Sequence, residues 1–172
     1  EDTLTAIYTE NDVELPTVTR TGYTFEGWYK DKEGTEKFGE AGYTYTPTED
    51  GELYAKWTAN TYTITFNVND GDKLENNTKE VIYGEKYGEL PTPTRAGYTF
   101  MGWFNSVSEE ITAETTVDIT ENTVLTAKWI ESELTITFDV YKGQVEPSSK
   151  KVIYKQEYGT LPTPTPTMEG CI

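Results

Sequence analysis

The sequence has no histidine, and Cys171 is its single cysteine among 172 residues. Without histidine it lacks the commonest general base and metal ligand that operate near neutral pH. One cysteine cannot close an internal disulfide, so cysteine usage leaves the redox compartment open. No apolar run is long enough for a transmembrane helix. We therefore expect no catalytic set, no cofactor, no metal site and no membrane insertion.

Basic residues are also scarce. The chain has 14 Lys and Arg against 30 Asp and Glu, which gives a formal net charge of −16. An acidic surface repels phosphate backbones and anionic lipid headgroups. We therefore expect no nucleic-acid partner.

Aromatic residues are abundant, with thirteen Tyr, six Phe and four Trp. Large rings can fill the core of a small module, because each buries roughly 150–250 Å². Frequent Thr and Tyr favour strand over helix. The composition predicts a mainly β chain with little helix.

The chain repeats itself. Ile7-Tyr8 and Gly22-Tyr23 recur 75 residues later at Ile82-Tyr83 and Gly97-Tyr98, and Trp57 recurs as Trp129. A period of this kind indicates tandem copies of one structural unit. We predict three copies: residues 1–57 without a first strand, residues 58–129 complete, and residues 130–172 as the first part of a third.

The complete copy can be interpreted strand by strand. Tyr62, Ile64, Phe66 and Val68 alternate with polar residues, as expected for a strand with one buried face. A polar turn follows, then a strand over residues 79–83, and then an extended connector over residues 90–94, where alternate prolines remove ladder donors.

The motif GYTFMGWF, which begins at Gly97, predicts a bulged strand. Phe100 and Trp103 are three residues apart, so strict alternation would place their rings on opposite faces. A bulge at Gly102 would turn both rings to the core, and glycine within a strand often marks one. The same reasoning applies to Phe25, Gly27 and Trp28.

The phase of these strands predicts a structural core and leaves some tyrosines outside it. We expect eight aromatic residues to face inward: Phe25, Trp28, Trp57, Phe66, Phe100, Trp103, Trp129 and Phe138. Four tyrosines are less clearly inward and are the candidates for a surface binding patch: Tyr29, Tyr43, Tyr45 and Tyr54.

Together, these motifs resemble the Listeria–Bacteroides repeat family, also called the internalin B-repeat. The residues that carry the resemblance are Leu90-Pro91, Gly97-Tyr98-Thr99-Phe100, Gly102-Trp103 and Ala127-Lys128-Trp129. The resemblance covers essentially the whole chain. It implies small β-grasp-like modules with twisted, mostly antiparallel sheets, arranged in tandem in bacterial surface proteins, Gram-positive ones included.

Two other chemical hypotheses compete with plain structure. Asn69-Asp70-Gly71-Asp72 looks like the start of a calcium loop, but the third copy keeps only the glycine, so a turn is favoured. Glu109-Glu110 could do acid–base chemistry, but no partner accompanies them, and we expect a solvated loop.

We therefore expect a non-catalytic repeat region, extracellular at a bacterial cell surface or cell wall, that acts as a stalk, spacer or adhesive segment. The alternative is a carbohydrate- or protein-binding module attached to a larger extracellular enzyme or adhesin. Expected partners are the neighbouring repeats and host or cell-wall protein or glycan. The incomplete end copies also predict end-to-end self-association through open strand edges.

Overall fold

The computed structural model describes residues 3–6, 12–140 and 143–166, with the backbone alone for residues 3–6 and Pro166. Within these ranges the chain forms fifteen strands and no helix. No helix there is long and apolar enough to cross a membrane. The predicted mainly β class is confirmed. Cys171 and the repeated pair Ile7-Tyr8 lie outside the described residues.

The strands are numbered in chain order. Those of the first half are β1 Thr3–Ala6, β2 Val13–Glu14, β3 Tyr23–Tyr29, β4 Lys37–Gly39, β5 Thr44–Tyr45, β6 Gly51–Ala59 and β7 Thr61–Asn67. Those of the second half are β8 Thr78–Ile82, β9 Tyr98–Phe104, β10 Glu110–Ile111, β11 Thr123–Glu131, β12 Glu133–Thr137, β13 Gly143–Gln144, β14 Ser149–Ile153 and β15 Thr165–Pro166.

The two larger sheets run in the orders β1-β6-β3-β4 and β10-β9-β11-β7-β8. Three two-stranded sheets pair β12 with β14, β13 with β15, and β2 with β5. Each strand pair whose residue register is given by the structure is antiparallel. This confirms the predicted antiparallel character, whereas the β-grasp-like arrangement stays a prediction.

The predicted bulge is confirmed in both copies. Phe100 pairs with Trp129 and Gly102 with Lys128, so Met101 is the extra residue of β9. In β3 the same skip occurs at Glu26, between the pairs formed by Phe25 and Gly27. Gly102 has a φ of 142° and Gly27 a φ of 125°, both in a region that residues with a Cβ rarely enter.

The chain divides into two compact units that are discontinuous in sequence. One comprises residues 1–65, 78–89 and 112–124, and the other comprises residues 66–77, 90–111 and 125–172. The first contains a core of Leu15, Trp28 and Leu53, against which Phe25 packs. In the second, the rings of Phe66 and Trp103 lie 4.8 Å apart between centroids. The division into three repeat copies stays a prediction.

The hairpins follow the expected positions closely. β8 begins one residue before the strand predicted over residues 79–83, and β14 is its counterpart in the next copy, where β12 pairs with it from Glu133 to Thr137. The alternation predicted from Tyr62 onward in β7 is weaker in its counterpart β12, where Leu134 is 46% exposed. Among the described residues β12 pairs with β14 alone.

Candidate functional site

The eight predicted core aromatics occupy two levels of burial. Trp28, Trp103 and Phe66 are almost completely buried. The others are half-buried: Phe25, Trp57, Phe100, Trp129 and Phe138. Phe138 lies one residue beyond the end of β12.

The bulge brings the rings of each motif together. Phe100 meets Trp103 edge-to-face at 5.5 Å and Trp129 at 5.4 Å. Phe25 makes the equivalent contacts with Trp28 at 5.6 Å and Trp57 at 5.3 Å. Such pairs contribute about 0.5–1.5 kcal/mol beyond the area they bury. The repeated motif is therefore a structural cluster.

The polar turn after β7 packs on the same cluster in the complete copy. Trp129 donates its indole N–H to the carbonyl oxygen of Val68 at 2.9 Å. Asn69 donates its side-chain amide to the carbonyl oxygen of Ala127 at 3.1 Å. Asn69 and Asp70 both adopt positive φ, 47° and 65°, which short polar side chains tolerate better than most. These two bonds hold the turn, whose residues are exposed or half-buried, against β11.

Two residues of the connector hold the acidic side chains of this turn. The guanidinium of Arg95 lies 3.5 Å from the Asp70 carboxylate. The hydroxyl of Thr94 donates a hydrogen bond to the Asp72 carboxylate. The described residues contain no group of three or more acidic, His or Cys side chains placed to hold a metal ion. In this structure Asp70 and Asp72 bond the turn to the connector.

The four candidate surface tyrosines occupy different environments. Tyr43 is 51% exposed and lies edge-on to Phe38 at 6.1 Å. Tyr45 is half-buried, with its ring 4.8 Å from that of Phe38. Tyr54 is half-buried and donates to Glu52, and Tyr29 is 9% exposed, with the Lys56 ammonium 5.0 Å from its ring. Tyr43 thus offers the most ring surface of the four.

A cleft of about 700 Å³ lies beside Tyr29 and Tyr54. Arg20, Lys32 and Lys56 contribute positive charge to its lining, and Trp57 also lines it. Asp31 and Glu33 also line it. Lys56 donates to the carbonyl oxygen of Gly34 at 2.7 Å, so its ammonium is held at the edge of the cleft.

Asp31 has the clearest electrostatic perturbation near the cleft. Its carboxylate accepts hydrogen bonds from the backbone N–H groups of Thr35 at 3.0 Å and Glu36 at 2.7 Å. These bonds favour the charged form and hold the pKa of Asp31 below its ordinary value of 3.8. Elsewhere, burial raises the pKa of the Tyr87 phenol. Neither shift builds a catalytic pair.

The acidic pair Glu109 and Glu110 is exposed, as expected. The predicted loop is wrong in one respect, because Glu110 begins β10 and pairs with Phe104. A two-residue strand has no periodicity from which it could be predicted.

A junction is repeated where one copy follows another. Gly22 accepts a backbone hydrogen bond from Asn60 at 2.9 Å, and Asn60 accepts one from Tyr83 at 2.9 Å. The ring of Tyr83 lies edge-on to that of Tyr23, at 5.6 Å and 74°. These contacts join residues of the first predicted copy to residues of the second.

The second junction repeats the first. Gly97 accepts from Ser132 at 2.9 Å, and Ser132 accepts from Tyr154 at 3.0 Å. Tyr98 and Tyr154 meet at 5.6 Å and 74°. Sequence reasoning gave no role in a junction to Tyr83 and Tyr154. The available signal was that both tyrosines occupy the same position of the repeat.

Comparison with known proteins gives a consistent result. The model of the Listeria-Bacteroides repeat domain matches residues 2–56 and 62–128. The chain is 34% identical to a protein of Evansella cellulosilytica described as a Gly-rich membrane protein, over 98% of the chain and 19% of the relative. A second membrane protein of that organism is 34% identical over 90% of the chain and 22% of its own length.

Internalin H of Listeria monocytogenes is 44% identical over 55% of the chain and 16% of its own length. The chain thus spans about a fifth of the length of the curated relatives it matches. No solved structure matches it.

Proposed function

We propose that this chain, which belongs to the Listeria–Bacteroides repeat family, is a non-catalytic repeat segment of a bacterial surface protein and serves as a spacer or stalk. Relatives described as membrane proteins, of which the chain matches about a fifth, support a place at the cell envelope. The absence of histidine from the sequence favours a role without acid–base chemistry.

The repeated junction is the observation that carries this proposal. At both junctions a glycine carbonyl, one linker amide and one tyrosine form the same contacts, with ring distances of 5.6 Å. A spacer needs each copy to meet the next in a defined way, because a flexible linker would fold back on itself. Two hydrogen bonds and an aromatic pair at each junction fix the local contacts between residues of adjacent predicted copies.

Limited proteolysis tests the junction directly. Residues 58–61 and 130–133 should resist a broad-specificity protease, because Asn60 and Ser132 are bonded to the carbonyl groups of Gly22 and Gly97 and the residues on either side of them lie in strands. Tyr83→Ala should expose the first junction and leave the second resistant, and Tyr154→Ala should do the reverse. If the wild-type chain is cut at both junctions as fast as an unstructured peptide, the spacer role loses its support.

Surface location needs a separate experiment. Trypsin added to intact cells of the source bacterium should release peptides of this chain, with a cytoplasmic protein as the lysis control. Recovery of these peptides only after lysis would contradict a surface role.

Glycan or protein binding is the second candidate, and the exposed ring of Tyr43 is the observation that favours it. Exposed aromatic rings stack on sugar faces and anchor protein interfaces. Replacing Tyr43 by alanine tests whether this ring binds a partner.

A further inference from the structure

β8 is the outer strand of the five-stranded sheet, and within the part of the chain that the structure describes it pairs with β7 alone. Tyr83, which follows β8, donates its backbone N–H to the carbonyl oxygen of Asn60 at 2.9 Å. Backbone groups alternate in direction along an antiparallel strand. The N–H groups of Thr78, Glu80 and Ile82 therefore point away from β7, toward the open edge of the sheet.

β14 has the same edge one repeat later. Tyr154, which follows it, donates to the carbonyl oxygen of Ser132 at 3.0 Å, so the N–H groups of Ser149, Lys151 and Ile153 point away from β12. Among the described residues β14 pairs with β12 alone. The edge is equally open in the predicted complete copy, so it is a property of the repeated hairpin.

The side chains along both edges are exposed. Ile82 is 39% and Ile153 41% exposed, and Glu80 and Lys151 at the centres of the two strands are exposed as well. Glu80 forms no ion pair with any residue that the structure describes. Lys151 lies 2.6 Å from Glu133 in an exposed pair, and such pairs contribute little and exchange easily. Both charges are therefore accessible to a strand that joins the edge.

The charges at the two centres distinguish between the possible pairings. An open edge is a template for another strand. If two β8 strands paired antiparallel about their centres, Glu80 would lie opposite its own copy, and two β14 strands would place Lys151 opposite its own copy. Like charges directly opposite each other destabilise a strand pair, whereas opposite charges stabilise it. The mixed pairing of β8 with β14 places Glu80 opposite Lys151 and is the favoured one.

We propose that the β8 edge of one molecule pairs antiparallel with the β14 edge of a second copy of this chain. Glu80 and Lys151 exchange backbone hydrogen bonds at the centre, and the N–H of Ile82 reaches the carbonyl group of Ser149. Each contact leaves one β8 and one β14 edge open, so further copies can join. The contact would associate neighbouring spacers side by side, through an edge of the complete copy and not through incomplete ends.

Sedimentation equilibrium of the intact 172-residue chain tests this association. The net charge of −16 makes the copies repel each other, so the experiment uses about 0.15 M salt, where the Debye length is about 8 Å. The weight-average mass should rise above that of the monomer as the concentration increases. Glu80→Lys should weaken association about tenfold, because an attractive pair becomes a repulsive one.

The matched control is Glu75→Lys, which makes the same change of net charge at an exposed residue outside β8. It should not weaken association. The double variant Glu80→Lys with Lys151→Glu should associate like the wild type, because the two charges are exchanged and remain opposite. A folding defect in either single variant could not produce this rescue.

Glu80→Pro tests the backbone contact separately from the charge. The N–H of Glu80 points away from β7, so proline removes an edge donor and leaves the hydrogen bonds between β7 and β8 in place. This variant should keep the wild-type circular dichroism spectrum and lose the association.

Four results would overturn the proposal. They are a monomeric mass at every concentration up to millimolar, association that persists in Glu80→Pro, equal effects of Glu80→Lys and Glu75→Lys, and no recovery in the double variant. The protease test of the junctions reports on contacts within one chain, so its outcome is independent of these.

Discussion

The indole N–H of Trp103 donates to the carbonyl oxygen of Pro91 across 2.7 Å. The bond ties the bulged strand β9 to the connector, which has no ladder of its own. Trp28 makes the same bond to Pro16 at 3.0 Å. Each copy thus buries its largest side chain and satisfies that side chain's only donor at once.

Replacing Trp103 by Phe should lower the free energy of unfolding by about 1–3 kcal/mol, because the Pro91 carbonyl loses its donor. Trp103→Ala should cost about 3–5 kcal/mol through the cavity it leaves. Urea denaturation followed by circular dichroism measures both. Met101→Leu is the matched control, since Met101 is 52% exposed, and a loss for Trp103→Ala no larger than for this control would contradict the packing.

Deletion of Met101 should remove the bulge and still leave the aromatic cluster of the second copy in place. Without the extra residue, Phe100 and Trp103 would be two residues apart, so regular alternation would keep both rings on the same face of β9. The deletion variant and Met101→Ala should therefore show similarly dispersed aromatic signals by NMR. A loss of that dispersion in the deletion variant alone would contradict this account of the bulge.

Gly97→Ala should destabilise the second junction by about 1–3 kcal/mol, the usual cost of a strained backbone position. Gly97 has a φ of 77°, and a Cβ there would lie 2.3 Å from the Tyr154 ring. The Ser132 amide, which bonds to Gly97, should then exchange faster with deuterium. Gly51→Ala is the control, because a Cβ at Gly51 meets nothing within 4 Å, and equal exchange in both variants would contradict the prediction.

The loop at Asp31 should contribute stability that depends on pH. Its pKa is lowered in the folded chain by the Thr35 and Glu36 amides, so the contribution is present above the unfolded-state pKa near 3.8. It is lost as the pH falls through the lower folded value. Carboxyl NMR titration measures the pKa, and the stability difference between wild type and Asp31→Asn should shrink in acid. A constant difference would contradict this.

Tyr43→Ala decides between a passive spacer and a binding module. If the chain binds glycan or protein, loss of the exposed ring should abolish retention on a glycan array or in a pull-down, while Tyr29→Phe serves as the buried control. If wild type binds nothing, the spacer role is favoured.

Local sequence patterns predicted much of the fold. Phe100 and Trp103 required a bulge because their spacing conflicts with strand alternation, and the structure has it. Alternate prolines predicted the connector over residues 90–94, which forms no strand. Both inferences use sterics within a few residues, where the sequence contains all the relevant information.

Features that depend on distant partners were not predictable. Trp57 and Trp129 have the same strand phase, yet their indole groups differ because only Trp129 meets Val68. Tyr87 and Val117 are fully buried although they lie outside the strands. Their burial follows from the pairing of residues 84–88 with residues 113–117, which no periodicity encodes.

The junction has a consequence for how such arrays change length. The second copy carries both halves of the contact, with Gly97-Tyr98 accepting from the copy that follows and Tyr83 packing on the copy before. If one whole copy were duplicated or lost by recombination, every remaining Gly-Tyr pair would still meet a tyrosine. Loss or duplication of one whole predicted copy would therefore create no mismatched junction.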